Sequence, residues 1–178
     1  AKGARPRAAA EKRSVSFVEK MGQLIGRLVP RRATALQAGP AASGVEVLRI
    51  PNKRREDIVA LLNTTPRAGR KLHAPVIVIP PAHGKRKEST SVLAQILVES
   101  FARARRDVVV LRFDGVRNIG ESYKDPDCRE PGREALRSSL TQAVDDIHAV
   151  LDHVYNNPLF SPSEVVLCCF SLQGVPGR

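Results

Sequence analysis

The chain has 178 residues, a length that suits one domain of moderate size with a single buried core. Its formal net charge is +11 and only 4% of its residues are aromatic, so the core must rest on aliphatic side chains, and the sequence offers no aromatic stacking set for specific RNA readout. Its three cysteines lack the spacing of a disulfide framework, and no apolar run approaches membrane-spanning length. These features exclude a disulfide-rich secreted domain and an integral membrane protein. We expect a cytoplasmic protein, with an organelle matrix as the alternative.

The positive charge is concentrated at the N-terminal side. Residues 1–44 carry nine Lys/Arg residues and two Glu residues, a net charge of +7. We predict that they form a basic arm, in which residues 14–29 make a short amphipathic helix and residues 30–44 a Pro/Gly-containing linker. Residues 1–32 are suited to an anionic surface, either RNA or lipid, and packing of the helix on the domain is the alternative. The domain proper is predicted at residues 45–178.

Periodicity predicts alternating strands and helices in this domain. Residues 45–50 alternate between apolar and polar side chains, and with residues 57–62 they are predicted to form an antiparallel hairpin. Apolar runs predict three buried strands, and two stripes at helical spacing lie between them. The predicted strands are residues 75–79, 107–113 and 165–170, and the predicted helices are residues 89–105 and 136–154. The fold class is therefore α/β, with a mostly parallel sheet and an N-terminal antiparallel hairpin.

Chemistry in such a sheet collects at the carboxyl ends of the strands, where three segments stand out. The first predicted strand is followed by Pro-Pro-Ala-His83-Gly-Lys, whose open backbone can present an N–H group to an oxyanion. The second is followed by Asp114 and then by Gly-Glu-Ser at residues 120–122. The third runs into Ser171, with Gly174 three residues later, which is the pattern of a nucleophile elbow. An ordinary strand-to-loop junction is the alternative for Ser171.

These motifs, in this order, resemble the N-terminal half of the α/β-hydrolase superfamily, through the nucleophile elbow. The spacing from Asp114 to Ser122, together with the elbow at Ser171 and Leu172, is most similar to its acyltransferase and thioesterase members. The resemblance covers about residues 45–175. It implies an α/β-hydrolase-like fold and a reaction on an ester or thioester through an acyl-serine intermediate.

The resemblance also implies site residues. Ser171 would be the nucleophile, and the backbone N–H of Leu172 would form one half of the oxyanion hole. The loop of His83, Gly84 and Lys85 would supply the other half, with His83 as an orienting residue and not as the base. Asp114 and Ser122 would shape the neighbouring loop without a chemical role.

The sequence departs from this family after the nucleophile. The family's base and acid follow the nucleophile, whereas residues 172–178 contain no His, Asp or Glu. Earlier candidates are expected to serve elsewhere: His73 at the opposite end of the sheet, His148 and His153 on a polar helix face, and Asp145 and Asp146 in solvent. The fold as written lacks the C-terminal strands and helices, so we expect a fragment of a longer hydrolase or a partner protein that covers the gap.

No cofactor or metal ion is expected, because the histidines and cysteines lack ligand spacing and the Gly-Lys at residues 84–85 lacks the flanking residues of a phosphate-binding loop. The alternative function is that of a binding or structural protein. In this hypothesis a catalytically inactive hydrolase-like domain is docked in an assembly, such as a ribonucleoprotein, by its basic arm.

Overall fold

The computed structural model describes residues 44–65, 73–170 and 177. The predicted basic arm before Gly44 lies outside these residues, as do Ser171 and Leu172. The described part contains five strands and two α-helices. They are β1 (Gly44–Pro51), β2 (Asp57–Thr64), β3 (Val76–Ile79), α1 (Ser91–Arg103), β4 (Val109–Phe113), α2 (Leu140–Asn156) and β5 (Val165–Leu167), with 3-10 turns at Lys87–Thr90 and Glu134–Leu136.

The five strands form one mixed sheet in the order β1-β2-β4-β3-β5. The hairpin β1–β2 is antiparallel, as predicted, and β2 also pairs antiparallel with β4. The strands β4, β3 and β5 are parallel to one another, so the predicted parallel arrangement is confirmed for this part of the sheet. Their carboxyl ends therefore lie at one edge, which is where the site is found.

Each face of the sheet is covered by one helix. One face carries Val76 and Val78 of β3 together with Ile147, Val150 and Val154 of α2, all in a single hydrophobic cluster. Strand residues alternate between faces, so Ile77 and Ile79 point to the other side. There the buried residues of α1, which are Ala94, Leu97, Val98 and Phe101, complete a second layer of core.

Two predicted elements differ from the structure. The second helix begins at Leu140, not near Leu136, because Ser139 caps it by accepting a hydrogen bond from the Gln142 N–H. Leu136 instead lies in the preceding 3-10 turn with 79% of its surface exposed. The third parallel strand is shorter than predicted, and β5 is half-buried along its length instead of fully buried.

No helix within residues 44–65 and 73–170 combines the length and apolarity that a membrane crossing requires.

Candidate functional site

A buried ionic cluster joins the loops that follow β3 and β4. Asp114, directly after β4, is fully buried, and its Oδ1 accepts the backbone N–H of Lys87 at 2.6 Å. Its Oδ2 accepts the Lys87 ammonium at 2.9 Å and the backbone N–H of Glu121 at 2.8 Å. We call this set of contacts the Asp114 anchor. One carboxylate thus fixes two loops at the carboxyl edge of the sheet.

Gly120 packs directly against the Asp114 carboxylate. Its φ of +134° is in the left-handed half of backbone space, and an added Cβ would lie 2.2 Å from Asp114 Cγ. Only glycine fits at this position without displacing the carboxylate. The Gly-Glu-Ser segment is therefore held against Asp114 by a steric requirement as well as by the hydrogen bond to Glu121.

Ser122 extends the same loop along β2. Its hydroxyl donates to the Asp114 carbonyl at 2.7 Å and accepts the Val59 N–H at 2.8 Å. Asp114 and Ser122 thus shape this loop, as the resemblance implied.

Sequence reasoning missed Lys87. It is one of three consecutive basic residues, 85–87, and the sequence does not show which of their side chains is buried. Only 1% of its side chain is exposed, and its ammonium also contacts the carboxylates of Glu121 and Glu88. Burial disfavours the charged form, but the hydrogen bonds to the three carboxylates outweigh burial and raise the pKa of Lys87 above its ordinary value. Lys87 is consequently a permanent cation at the edge of the site.

Arg112 adds a second buried cation behind Lys87. It sits within the otherwise apolar β4, donating to the Lys87 carbonyl at 2.9 Å and to Asn63 Oδ1 at 3.2 Å. The 3-10 turn that begins at Lys87 is therefore fixed to the centre of the sheet.

The predicted oxyanion loop begins with a tight turn. Gly84 has a φ of +65°, and Lys85 donates its N–H to the Ala82 carbonyl at 2.9 Å. The side chains of His83 and Lys85 are exposed. The turn lies directly beyond the carboxyl end of β3, between that strand and the Asp114 anchor.

A pocket of about 90 Å³ opens beside this turn. It lies between the loop after β3, the loop after β4 and the N-terminal half of α2. Apolar side chains line most of it, and a buried carboxylate contributes to its polar part. Its lining includes Pro80, His83, Phe113, Ala143, Gln142 and Asp146. We call this cavity the Asp146 pocket.

The expectation that Asp146 is solvated is wrong. Asp146 is 1% exposed because α2 turns it inward, where its Oδ2 accepts the Val116 N–H at 2.8 Å and its Oδ1 accepts Gln142 Nε2 at 2.9 Å. Burial raises its pKa to about 6, although hydrogen bonds from Val116, Gln142 and Asn52 oppose this shift. Its neighbour Asp145 also has only 10% of its side chain exposed and pairs with Lys53, so the expectation of a solvated carboxylate is wrong there as well.

The structure separates the four histidines. His83 lines the Asp146 pocket, whereas His73 lies before β3 with its Nδ1 3.0 Å from the Ser161 carbonyl oxygen, at the opposite edge of the sheet. His148 is exposed on α2, and His153 is half-buried there, where burial lowers its pKa. Among the described residues, only His83 is a histidine of the candidate site.

The cysteines after β5, Cys168 and Cys169, form no disulfide. Burial, with a smaller contribution from Cys169, raises the pKa of Cys168 to about 11, and burial also raises the pKa of Cys169. Because the thiolate is the reactive form, neither is a ready nucleophile at neutral pH. Nor do His, Cys, Asp and Glu side chains cluster as metal ligands anywhere in the part of the chain that the structure describes.

Sequence comparison finds no relative, since no protein-family model and no curated protein matches this chain. Solved structures do match by fold. Oligopeptidase B from Trypanosoma brucei aligns with a TM-score of 0.56 at 13% identity, over 79% of this chain and 19% of its own. A hypothetical protein from Pseudomonas aeruginosa aligns with a TM-score of 0.54 at 23% identity, over 75% of this chain and 39% of its own. An esterase from Pyrococcus furiosus aligns with a TM-score of 0.50 at 14% identity, over 81% of this chain and 51% of its own.

These similarities are to parts of longer proteins, since the chain spans between 19% and 51% of the three structures. At such low identity they show the fold alone. The described sheet and helices have the arrangement found in parts of these three structures, two of which are an esterase and an oligopeptidase.

Proposed function

We propose that this chain is a serine hydrolase or acyltransferase that acts on an ester or thioester through an acyl-serine intermediate. The observation that carries the proposal is the position of β5. It lies parallel to β3, and pairing continues to Cys168, whose N–H donates to the Val78 carbonyl at 2.8 Å. The chain that leaves this strand, in which Ser171 follows Phe170, thus starts at the edge that holds the turn of His83, Gly84 and Lys85.

In the proposed reaction the Ser171 hydroxyl attacks the carbonyl carbon, and its proton passes to a general base as the new ester bond forms. The negative charge on the carbonyl oxygen is stabilised by two backbone N–H groups, one from Leu172 and one from the turn at His83. Collapse expels the alcohol or thiol, which takes up the proton. Water or another acceptor then removes the acyl group from Ser171.

The base is the component that the described residues do not supply. His83 is retained as an orienting residue, and none of the four histidines follows Ser171 in the sequence. In this proposal a partner protein or a longer form of the chain provides the base and its acid. Such a partner would also cover the half-buried β5.

A fluorophosphonate probe tests this function, because it reacts only with an activated serine. We expect the natural protein in its own cell extract to be labelled on Ser171, and Ser171→Ala to abolish the label. Ser163→Ala is the matched control, since Ser163 is exposed and comes before β5. Absence of labelling, or labelling that survives Ser171→Ala, would contradict the proposal.

The uneven charge favours a second candidate, a docking role for the basic arm in an assembly such as a ribonucleoprotein. Residues 1–44 hold +7 of the net +11. Phosphate neutralisation by several Lys/Arg residues gives binding that weakens steeply with salt. We expect fluorescence anisotropy to show single-stranded RNA binding at 50 mM salt that falls at least about tenfold by 200 mM. A variant with Arg27, Arg31 and Arg32 changed to Gln should bind more weakly, and salt-independent binding would exclude this role.

A further inference from the structure

The Asp146 pocket is too small for a long acyl chain. Its volume is about 90 Å³, whereas pockets that enclose drug-sized ligands measure roughly 300–1,000 Å³. Pro80 and Phe113 form part of its apolar wall, and Ala143 of α2 narrows it from the side. A group of a few heavy atoms fits this space, which is well short of a fatty acyl tail.

The Asp146 carboxylate and the Gln142 amide belong to the polar part of the pocket wall. The Asp146 carboxylate has room for about four hydrogen bonds, and Val116, Gln142 and Asn52 each provide one of them, so about one position stays open. Asp146 and Gln142 are both more than nine-tenths buried. A ligand hydroxyl can donate to the open position, which a purely apolar ligand would leave empty.

The position of the pocket relates it to the proposed reaction. His83 belongs both to the pocket wall and to the turn that is proposed to stabilise the oxyanion. A substrate carbonyl at that turn would have its acyl group directed between the loops after β3 and β4. These loops are held together by the Asp114 anchor, so the pocket has fixed walls.

We propose that the Asp146 pocket receives the acyl group of the substrate and selects a short acyl group that carries a hydroxyl near its far end. The inference rests on the proposed hydrolase or acyltransferase function. It names hydroxylated short-chain esters or thioesters as the substrate class. The hydroxyl donates to the Asp146 carboxylate, while the short carbon chain contacts Pro80 and Phe113.

The test compares p-nitrophenyl esters of acetate, butyrate, 3-hydroxybutyrate and octanoate, using the natural protein or its complex. We expect kcat/KM for the 3-hydroxybutyrate ester to exceed that for the butyrate ester by about tenfold or more, since a site built to bind a hydroxyl rejects the analogue that lacks it. The octanoate ester should be the poorest of the four. Asp146→Asn should remove most of the preference for the hydroxyl.

Asp145→Asn is the matched control, because it makes the same chemical change one residue away, at a carboxylate that pairs with Lys53 and does not line the pocket. It should leave the preference unchanged. Ala143→Leu provides a second variant in case Asp146→Asn does not fold. The added side-chain carbons fill the pocket, so both four-carbon esters should lose activity while the acetate ester keeps it.

Binding without turnover separates this inference from the function on which it rests. Ligand-observed NMR with 3-hydroxybutyramide and butyramide should show binding of the hydroxylated amide to wild type and not to Asp146→Asn. If that binding is seen but no ester is hydrolysed, the hydrolase function is wrong and the pocket assignment stands. If esters are hydrolysed with octanoate favoured, or without preference for the hydroxyl, the pocket assignment is overturned and the function stands. Absence of binding by either amide, with no preference among the esters, also overturns it.

Discussion

At the scale of single residues, Lys87 and Lys85 differ in burial, and burial determines how much the charge of each contributes to stability. Lys87 is the buried cation of the Asp114 anchor, whereas Lys85 is exposed. Glu88 and Glu121 are 54% and 68% exposed at their side chains, so their pairs with Lys87 contribute little, and the fully buried Asp114 dominates. Removing one partner of a buried pair leaves an uncompensated charge.

We therefore predict that Lys87→Met lowers the free energy of unfolding by about 3–5 kcal/mol. Lys85→Met, the same change on an exposed side chain, should alter it by less than about 0.5 kcal/mol. Urea denaturation followed by circular dichroism measures both. Equal effects of the two substitutions would show that the Lys87–Asp114 pair does not hold the loops.

A second prediction concerns Gly120. Gly120→Ala should cost about 3 kcal/mol or more, because the new methyl group overlaps the Asp114 side chain and the backbone is in the left-handed region. Gly132→Ala is the control, since Gly132 also has a positive φ, of +90°, but nothing lies within 4 Å of its added Cβ. The control should lose only about 1–2 kcal/mol. Thermal unfolding of the two variants separates the free-energy cost of the steric overlap from that of the backbone conformation. Similar losses of stability in the two variants would contradict the close approach of Gly120 to Asp114.

At the scale of elements, Asp146 ties α2 to the loop after β4 through the Val116 N–H. Burial raises its pKa from 3.8 to about 6, so between these values the folded protein holds a proton that the unfolded chain has released. Stability should therefore fall as pH rises from about 4 to about 6, by up to about 3 kcal/mol. Above this pH range the contribution of Asp146 to the free energy of unfolding no longer changes with pH.

Asp146→Asn should flatten that part of the stability curve, because the amide does not titrate. Urea unfolding of wild type and variant at pH 4, 5, 6 and 7 measures the difference directly. Parallel curves for the two proteins would mean that Asp146 does not titrate in this window.

The elements were predictable where their signals are local. Apolar residues at helical spacing predict α1, and the apolar runs of β3 and β4 predict strands covered on both faces. The start of α2 was placed too early because Leu136 fits the helical period. The Ser139-x-x-Gln142 pattern is a capping-box signal that marks the observed start. Burial of Asp146 has no such local signal, since it depends on a backbone N–H thirty residues away.

At the scale of the whole molecule, strand direction followed from the alternation of strands and helices, but strand order did not. β4 lies between β2 and β3 because the crossover after β3 moves toward the hairpin and the crossover after β4 moves the other way. Residue periodicity does not encode the direction in which a crossover moves along the sheet. Of the candidate site, the loops after β3 and β4 were found from their position after buried strands. The nucleophile Ser171 and the oxyanion N–H of Leu172 stay predictions, because they lie outside the described residues.

The sheet order predicts a gradient of local stability. Strands β3 and β4 are central and buried on both faces, whereas β1 is an edge strand with Val45 and Val47 more than half exposed. Hydrogen exchange followed by mass spectrometry should show the slowest exchange in β3 and β4 and much faster exchange in β1. Slowest exchange in β1 would contradict the central position of β3 and β4.

The Asp114 anchor also has a consequence for redesign. Because Lys87 contributes both its backbone and its side chain to one carboxylate, the loops after β3 and β4 cannot be exchanged independently with those of another protein. A chimera that replaces the segment containing Lys87 must bring a matching acid and glycine in the other loop. Residues 81–86 lie outside this constraint, and positions 81, 82 and 86, which are not part of the proposed oxyanion turn, can be varied while Lys87, Asp114 and Gly120 are kept. Diversity libraries for new acyl specificities therefore belong at those positions and on the first turn of α2.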